Sequence, residues 1–125
     1  YAMMGENLYE VIPHFADKIR FVHFRNAKGN KNHFRETFHD NGDLEMGKLL
    51  RLYDMCGIDV PIRVDHVPTM AGEKSNIPGY DALGRLYAIG YLKGLLGIWR
   101  GNPRPFNDRD ESAACFYHAI NLPKA

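Results

Sequence analysis

Cysteine is scarce in this sequence. Its 125 residues include two, Cys56 and Cys115, far apart and in no Cys-x-x-Cys arrangement. That spacing supports neither a disulfide framework nor a zinc-finger pattern. Two buried apolar thiols in a reducing, cytoplasmic compartment are the expectation instead. A charge bias of one sign is also missing, since 16 Lys and Arg face 15 Asp and Glu for a net charge of +1. Nucleic acids and anionic membranes select for a strong basic excess, so neither is expected as a partner. No long apolar run occurs. The most apolar stretch, 82–99, is interrupted by Arg85, Lys93 and four glycines, whereas a membrane-spanning helix needs ~20 largely apolar residues. The opening Tyr1-Ala2-Met3-Met4-Gly5 has neither the basic nor the apolar region of a signal peptide. It also lacks an initiating methionine, so this beginning is not expected to be a natural one. Phosphate-cradling loops of the GxGxxG and GxxxxGK-S/T types are absent. So is a GxSxG nucleophile elbow, and Ser75 and Ser112 have no suitable frame.

What is present suits a globular domain, with 45% hydrophobic and 25% charged residues. Leu8, Val11, Ile12 and Phe15 fall on one face of an amphipathic helix, with Pro13 expected to kink or shorten it. The β-branched and aromatic run from Ile19 to Asn26 reads as a strand. A long polar loop is expected over 27–42. Asp43 then caps a second helix with Met46, Leu49, Leu50 and Tyr53 on its apolar face, closed by Gly57. A second strand, Ile62 to His66, stops at Pro68, and a polar loop over 69–79 leads to a third helix from about Tyr80 to Trp99. Gly84, Gly90, Gly94 and Gly97 each cost that helix about 1 kcal/mol relative to Ala, so close packing along it is expected. Residues 1–100 form the main unit, and 101–125 an extension with a short helix ending near His118. His14, His33 and His118 read as surface residues.

Alternating helices and strands predict an α/β architecture with parallel strands. Two strands can neither close a barrel nor hide both faces of a parallel sheet, so the chain reads as part of something larger. Along the first strand Phe21, His23 and Arg25 share one face and Val22 and Phe24 the other; along the second, Arg63 and Asp65 oppose Val64. Polar groups thus gather near the C-terminal ends of both strands. His23 and Asp65 fit either a divalent-metal site or plainer roles, a hydrogen-bonded core histidine and a salt bridge to Arg63. His66 fits either an acid–base residue or a loop residue capping a backbone group.

The segments Val22-His23-Phe24-Arg25-Asn26, Glu36-Thr37-Phe38-His39-Asp40 and Arg63-Val64-Asp65-His66-Val67-Pro68-Thr69-Met70 resemble the mannonate dehydratases. Gly79-Tyr80, Leu83-Gly84-Arg85-Leu86 and Ala88-Ile89-Gly90-Tyr91 resemble the same family in the same order. The resemblance implies the C-terminal portion of a (β/α)8 TIM barrel of the xylose isomerase-like kind, with two parallel strands and three main helices. It implies dehydration of D-mannonate to 2-keto-3-deoxy-D-gluconate in glucuronate catabolism, with Mn2+ or Fe2+ as cofactor and a homo-oligomer as the complete enzyme. By the same resemblance His23 and Asp65 match metal ligands, His66 and Tyr80 acid–base residues, Arg63 a substrate contact, and His39 and Asp40 a substrate-facing loop. The family also draws a His and a Cys from earlier strands, which would lie before Tyr1, so the chain alone is expected to bind metal poorly and to be inactive. A related barrel isomerase or epimerase, and a non-catalytic piece that assembles through its open strand edges, are the alternatives.

Overall fold

A computed structural model of the protein describes residues 4–101. Helix α1 spans Leu8–Phe15 and runs on into a 3₁₀ turn at Ala16–Lys18. Asn7 starts α1, its side-chain oxygen accepting from the Tyr9 amide at 3.1 Å while its amide donates to Glu10 at 2.7 Å. Pro13 lies within α1, and the helix stays short, as its ring and missing N–H require. Of the expected apolar face Ile12 is buried, but Phe15 is half exposed. Strand β1 is Val22–Phe24, shorter than the expected run, because it has a ladder partner along those positions alone.

The segment expected as one polar loop contains a hairpin, strands β2 (Ala27–Asn30) and β3 (His33–Glu36), antiparallel with Ala27 opposite Glu36. The Asn30 side chain makes its turn, accepting from the amides of Asn32 and His33 at 3.0 and 3.2 Å. Asp43 does not cap the next helix. Its carboxylate accepts instead from the Gly29 amide at 2.8 Å, tying the hairpin down. Helix α2, Met46–Met55, begins after Glu45 without a side-chain cap. It buries Met46, Leu49, Leu50 and Leu52, with Tyr53 partly covered. Gly57, at φ +66, closes it as expected: the Gly57 amide reaches Asp54 O at 3.0 Å and the Ile58 amide reaches Tyr53 O at 2.9 Å, a Schellman pair.

Strand β4, Ile62–Val64, pairs parallel to β1 with His23 opposite Arg63 and Phe24 opposite Val64. Helix α3 runs Ala82–Gly101. Its start is held by Glu73, whose carboxylate accepts from the Leu83 amide at 2.7 Å, a favourable place for negative charge. Val22, Phe24 and Val64 turn inward against Ile12, α2 and the Ala88 and Leu92 side of α3. Burying each large apolar group contributes about 1.5–3 kcal/mol. The described part of α3 is not long and apolar enough to cross a membrane, nor is any other described helix. The short helix expected near His118, Cys115 and the loop after Gly101 lie outside the described residues.

Glycine packing along α3 is confined to its first turn. A Cβ at Gly84 would sit 2.8 Å from both Pro68 O and Val67 Cγ2, whereas Gly90, Gly94 and Gly97 meet nothing within 4 Å among the described residues. The expected continuous contact is therefore absent from this part of the molecule, and Leu86, Ile89 and Ile98 stay exposed. Opposite signs follow for one substitution at two places. Gly84→Ala should cost roughly 1–3 kcal/mol by forcing α3 off Val67, while Gly90→Ala should be neutral or stabilise by up to about 1 kcal/mol through helix propensity. Urea unfolding midpoints compare them directly, and equal effects would contradict this packing.

Candidate active site

Because β1 and β4 run parallel, their C-terminal ends lie side by side and lift polar side chains to one side of the sheet. His23 Nδ1 stands 3.4 Å from Asp65 Oδ2, the histidine half exposed and the carboxylate nearly buried. The other oxygen, Asp65 Oδ1, faces Arg63 Nη2 at 3.5 Å and His66 Nε2 at 3.9 Å. The Arg63 Nε is buried and has no hydrogen-bond partner among the described residues. Asp65 is itself placed by its amide, which donates to Phe24 O at 2.9 Å across the strand ends.

Just past β4, His66 Nε2 lies 2.9 Å from the Tyr80 hydroxyl, with the two rings edge to face. Sequence spacing cannot bring Tyr80 here; the backbone does. Gly79 has φ +87, and a Cβ on it would sit 3.3 Å from the His66 ring, so a glycine is required for the chain to fold back over the histidine. The Gly79 carbonyl accepts from the Val67 amide at 3.2 Å, closing the 67–79 loop. Arg63 and Arg85 both lie over the Tyr80 ring, 5.8 and 5.9 Å from its centre.

The two loop residues expected to face a substrate part company. Asp40 is exposed, and its carboxylate accepts from the Tyr87 hydroxyl at 2.6 Å, which raises the Tyr87 pKa. His39 does not reach the open side: it has no exposed surface and its Nε2–H donates to Phe24 O at 2.6 Å. That carbonyl already accepts from Asp65, so His39 fills its second lone pair and supports the end of β1 rather than a ligand. Burial lowers the His39 pKa, against smaller opposing effects of the Phe24 carbonyl, Asp40 and Asp65. Cys56 follows α2, away from the strand ends, and partial burial pushes its thiol pKa up, as suits an inert packing residue.

Three residues that sequence reasoning left without a role complete the arrangement. Arg25, on the His23 face, grips Glu36 with Nε at 3.0 Å and with Nη2. Glu36 Oε1 also lies 3.3 Å from His66 Nδ1. Asn26 is fully buried, its amide donating to His39 O and Leu44 O at 2.8 and 2.9 Å while its oxygen accepts from the Ala27 and Leu44 amides. The alternation along β1 pointed to Arg25; nothing local could have pointed to a contact 30 residues away.

A family model described as D-mannonate dehydratase (UxuA) matches residues 1–101 of the chain. The mannonate dehydratase of Enterococcus faecalis is 36% identical over 92 residues, covering 71% of this chain and 26% of that protein. The mannonate dehydratase of Lactococcus lactis subsp. cremoris is 38% identical over 99 residues, covering 73% and 27%. The chain thus spans about a quarter of the length of these relatives. Among solved structures, a crystal structure of mannonate dehydratase from Streptococcus suis serotype 2 matches with a TM-score of 0.68 at 22% identity, over 83% of this chain and 32% of that one. That likeness establishes a shared fold over the matched part.

His39 supplies a test of the site's foundation. Its folded pKa lies below the unfolded value of 6.5, so between the two the unfolded chain holds the extra proton. Stability should fall as pH drops below about 6.5 and level off below the folded pKa. In His39→Gln, which cannot take up that proton, this share of the slope should vanish. Chemical denaturation of both proteins from about pH 8 to about pH 5 measures it; a stability difference independent of pH would show that His39 is not held neutral.

Proposed function

Because the chain belongs to the D-mannonate dehydratase family, we propose that it forms part of a metal-dependent lyase that removes water from D-mannonate to give 2-keto-3-deoxy-D-gluconate. The observation that carries this reading is the gathering of His23, Arg63, Asp65, His66 and Tyr80 at the C-terminal ends of the paired strands. In the complete protein these strands would be two of a (β/α)8 barrel, whose C-terminal face is where such enzymes build their sites.

His23 and Asp65 suit a divalent cation. Two ligands at roughly 2.0–2.2 Å from one ion, 90–110° apart, are separated by roughly 2.8–3.6 Å, and the 3.4 Å between Nδ1 and Oδ2 falls in that range. An imidazole and a carboxylate are also a donor set that manganese or ferrous iron accepts. Among the described residues no three or more His, Cys, Asp or Glu are arranged to hold a metal ion by themselves, so the remaining ligands would come from the part of the barrel outside this chain, as the family's additional His and Cys suggest. Bound there, Mn2+ or Fe2+ would supply Lewis-acid stabilisation of the negative charge that builds up as the proton beside the substrate carboxylate leaves.

The chain's own groups divide the rest. Arg63, whose side chain is partly exposed beside its Asp65 contact, would hold the sugar-acid carboxylate. His66 and Tyr80, 2.9 Å apart, would take the C2 proton and assist departure of the C3 hydroxyl as water. The resulting enol becomes the 2-keto acid, so no oxidant or reductant is needed. Asp40, exposed beside Tyr87, would contact the substrate's hydroxyl-bearing end. We place this enzyme in glucuronate breakdown, in the cytoplasm, as a homo-oligomer acting on a free sugar acid.

The test uses the full-length protein carrying this chain. Purified with Mn2+, it should convert D-mannonate to a 2-keto-3-deoxy acid. His66→Ala and Tyr80→Phe should each lower kcat by roughly 10²- to 10⁴-fold with metal content unchanged, whereas His23→Ala and Asp65→Asn should lose the metal. A protein that binds Mn2+ but isomerises or epimerises sugars without releasing water would overturn the lyase reading.

A further inference from the structure

The base of the β2–β3 hairpin and the loop after β4 meet at one carboxylate. Register puts Ala27 opposite Glu36, so Arg25 and Glu36 stand at the open end of the hairpin. Arg25 clamps the carboxylate from one side, with Nε on Oε2 at 3.0 Å and Nη2 on Oε1. A two-pronged guanidinium contact fixes the plane of the carboxylate as well as its charge. Oε1 is thereby turned to His66 Nδ1, 3.3 Å away. On the far side of the same ring, Nε2 lies 2.9 Å from the Tyr80 hydroxyl and 3.9 Å from Asp65 Oδ1. A Cβ built on Gly79 would come within 3.3 Å of the ring at Cγ and Nδ1.

We propose that Glu36, locked by Arg25, is the positioning residue for His66: it accepts the hydrogen on Nδ1 and so leaves Nε2 as the bare, reactive nitrogen beside Tyr80. The reason is hydrogen-bond chemistry. A neutral imidazole carries one hydrogen and one lone pair. With the hydrogen on Nδ1, Glu36 accepts it and the Tyr80 hydroxyl donates to Nε2, satisfying both contacts. With the hydrogen on Nε2, a nitrogen lone pair would face a carboxylate oxygen at 3.3 Å, and the two would repel. A carboxylate behind a histidine sets ring orientation and tautomer in the same manner in hydrolytic triads and metal sites. The positive charge of Arg25 lowers the cost of keeping Glu36 partly buried. The hairpin therefore carries the group that aims the histidine.

What His66 does rests on the dehydratase reading; where Glu36 holds it does not, and the two can be separated. In the metal-free full-length protein with ¹⁵N-labelled histidine, observed at a pH where the His66 ring carries a single hydrogen, the His66 resonances should place that hydrogen on Nδ1. A ring protonated at Nε2 would overturn the proposal, whatever reaction the enzyme catalyses. In the Mn2+-loaded enzyme Glu36→Asp keeps the charge for Arg25 but falls a methylene short of His66. It should lower kcat roughly 10- to 100-fold with KM for D-mannonate and metal content unchanged, and Glu36→Ala should add a mixed His66 tautomer signal. An Asp variant with wild-type kcat, or one whose loss is matched by lost metal and lowered Tm, would reduce the carboxylate to a structural brace. Should the wild-type protein dehydrate no sugar acid, the labelled-histidine spectrum still decides for or against Glu36.

Discussion

The polar side of this chain depends on the parallel register between β1 and β4. With His23 opposite Arg63, the ladder places Val22, Phe24 and Val64 in the core and His23, Arg25, Arg63 and Asp65 on the opposite side. Side chains alternate with a period of two, so a slip of one residue in either strand would send charged groups into the apolar layer. Burial of Phe24 and Val64 against α2 and α3 therefore does more than stabilise the fold. It fixes which nitrogen and which carboxylate meet, and the last carbonyl of β1 takes the Asp65 amide to hold that meeting in place.

A second constraint lies directly beyond β1. Asn26 is fully buried, and both ends of its side-chain amide are used by backbone groups on three segments. Gly42 packs so closely on it that a side chain there would occupy the space of Asn26. Buried polar groups are tolerated when their hydrogen bonds are complete, and here they close a wide excursion of the chain. The excursion returns with Glu36 beside His66 and with His39 under β1. Local backbone wiring thus becomes side-chain geometry at the strand ends.

Much of this was legible in the residues themselves. The alternation Val22-His23-Phe24-Arg25 and Arg63-Val64-Asp65 has one reading as strands packed on one face, and the strand ends do present those groups together. Gly57 after an apolar helical face announced its left-handed turn. The hairpin was hidden because His33–Glu36 has a single apolar residue, Phe34, which is itself exposed, so no apolar alternation marks a strand. Asp43 looked like a helix cap because caps and hairpin anchors use the same short carboxylate. His39 sits among Thr, Phe and Asp, a setting that gives no sign of complete burial. Tyr80 came from family resemblance alone, for its approach to His66 depends on the fold of the 67–79 loop.

On the open side of the strands, the His23–Asp65 contact is either one internal contact of the cluster with Arg63 and His66 or two corners of a metal site completed by the rest of a barrel. Anomalous diffraction at the manganese edge, from crystals of the full-length protein grown with Mn2+, separates the two. One strong peak within coordination distance of both His23 Nδ1 and an Asp65 oxygen is the expected result. A peak that touches neither residue, with the His23–Asp65 contact intact, would contradict the metal site proposed for these strands.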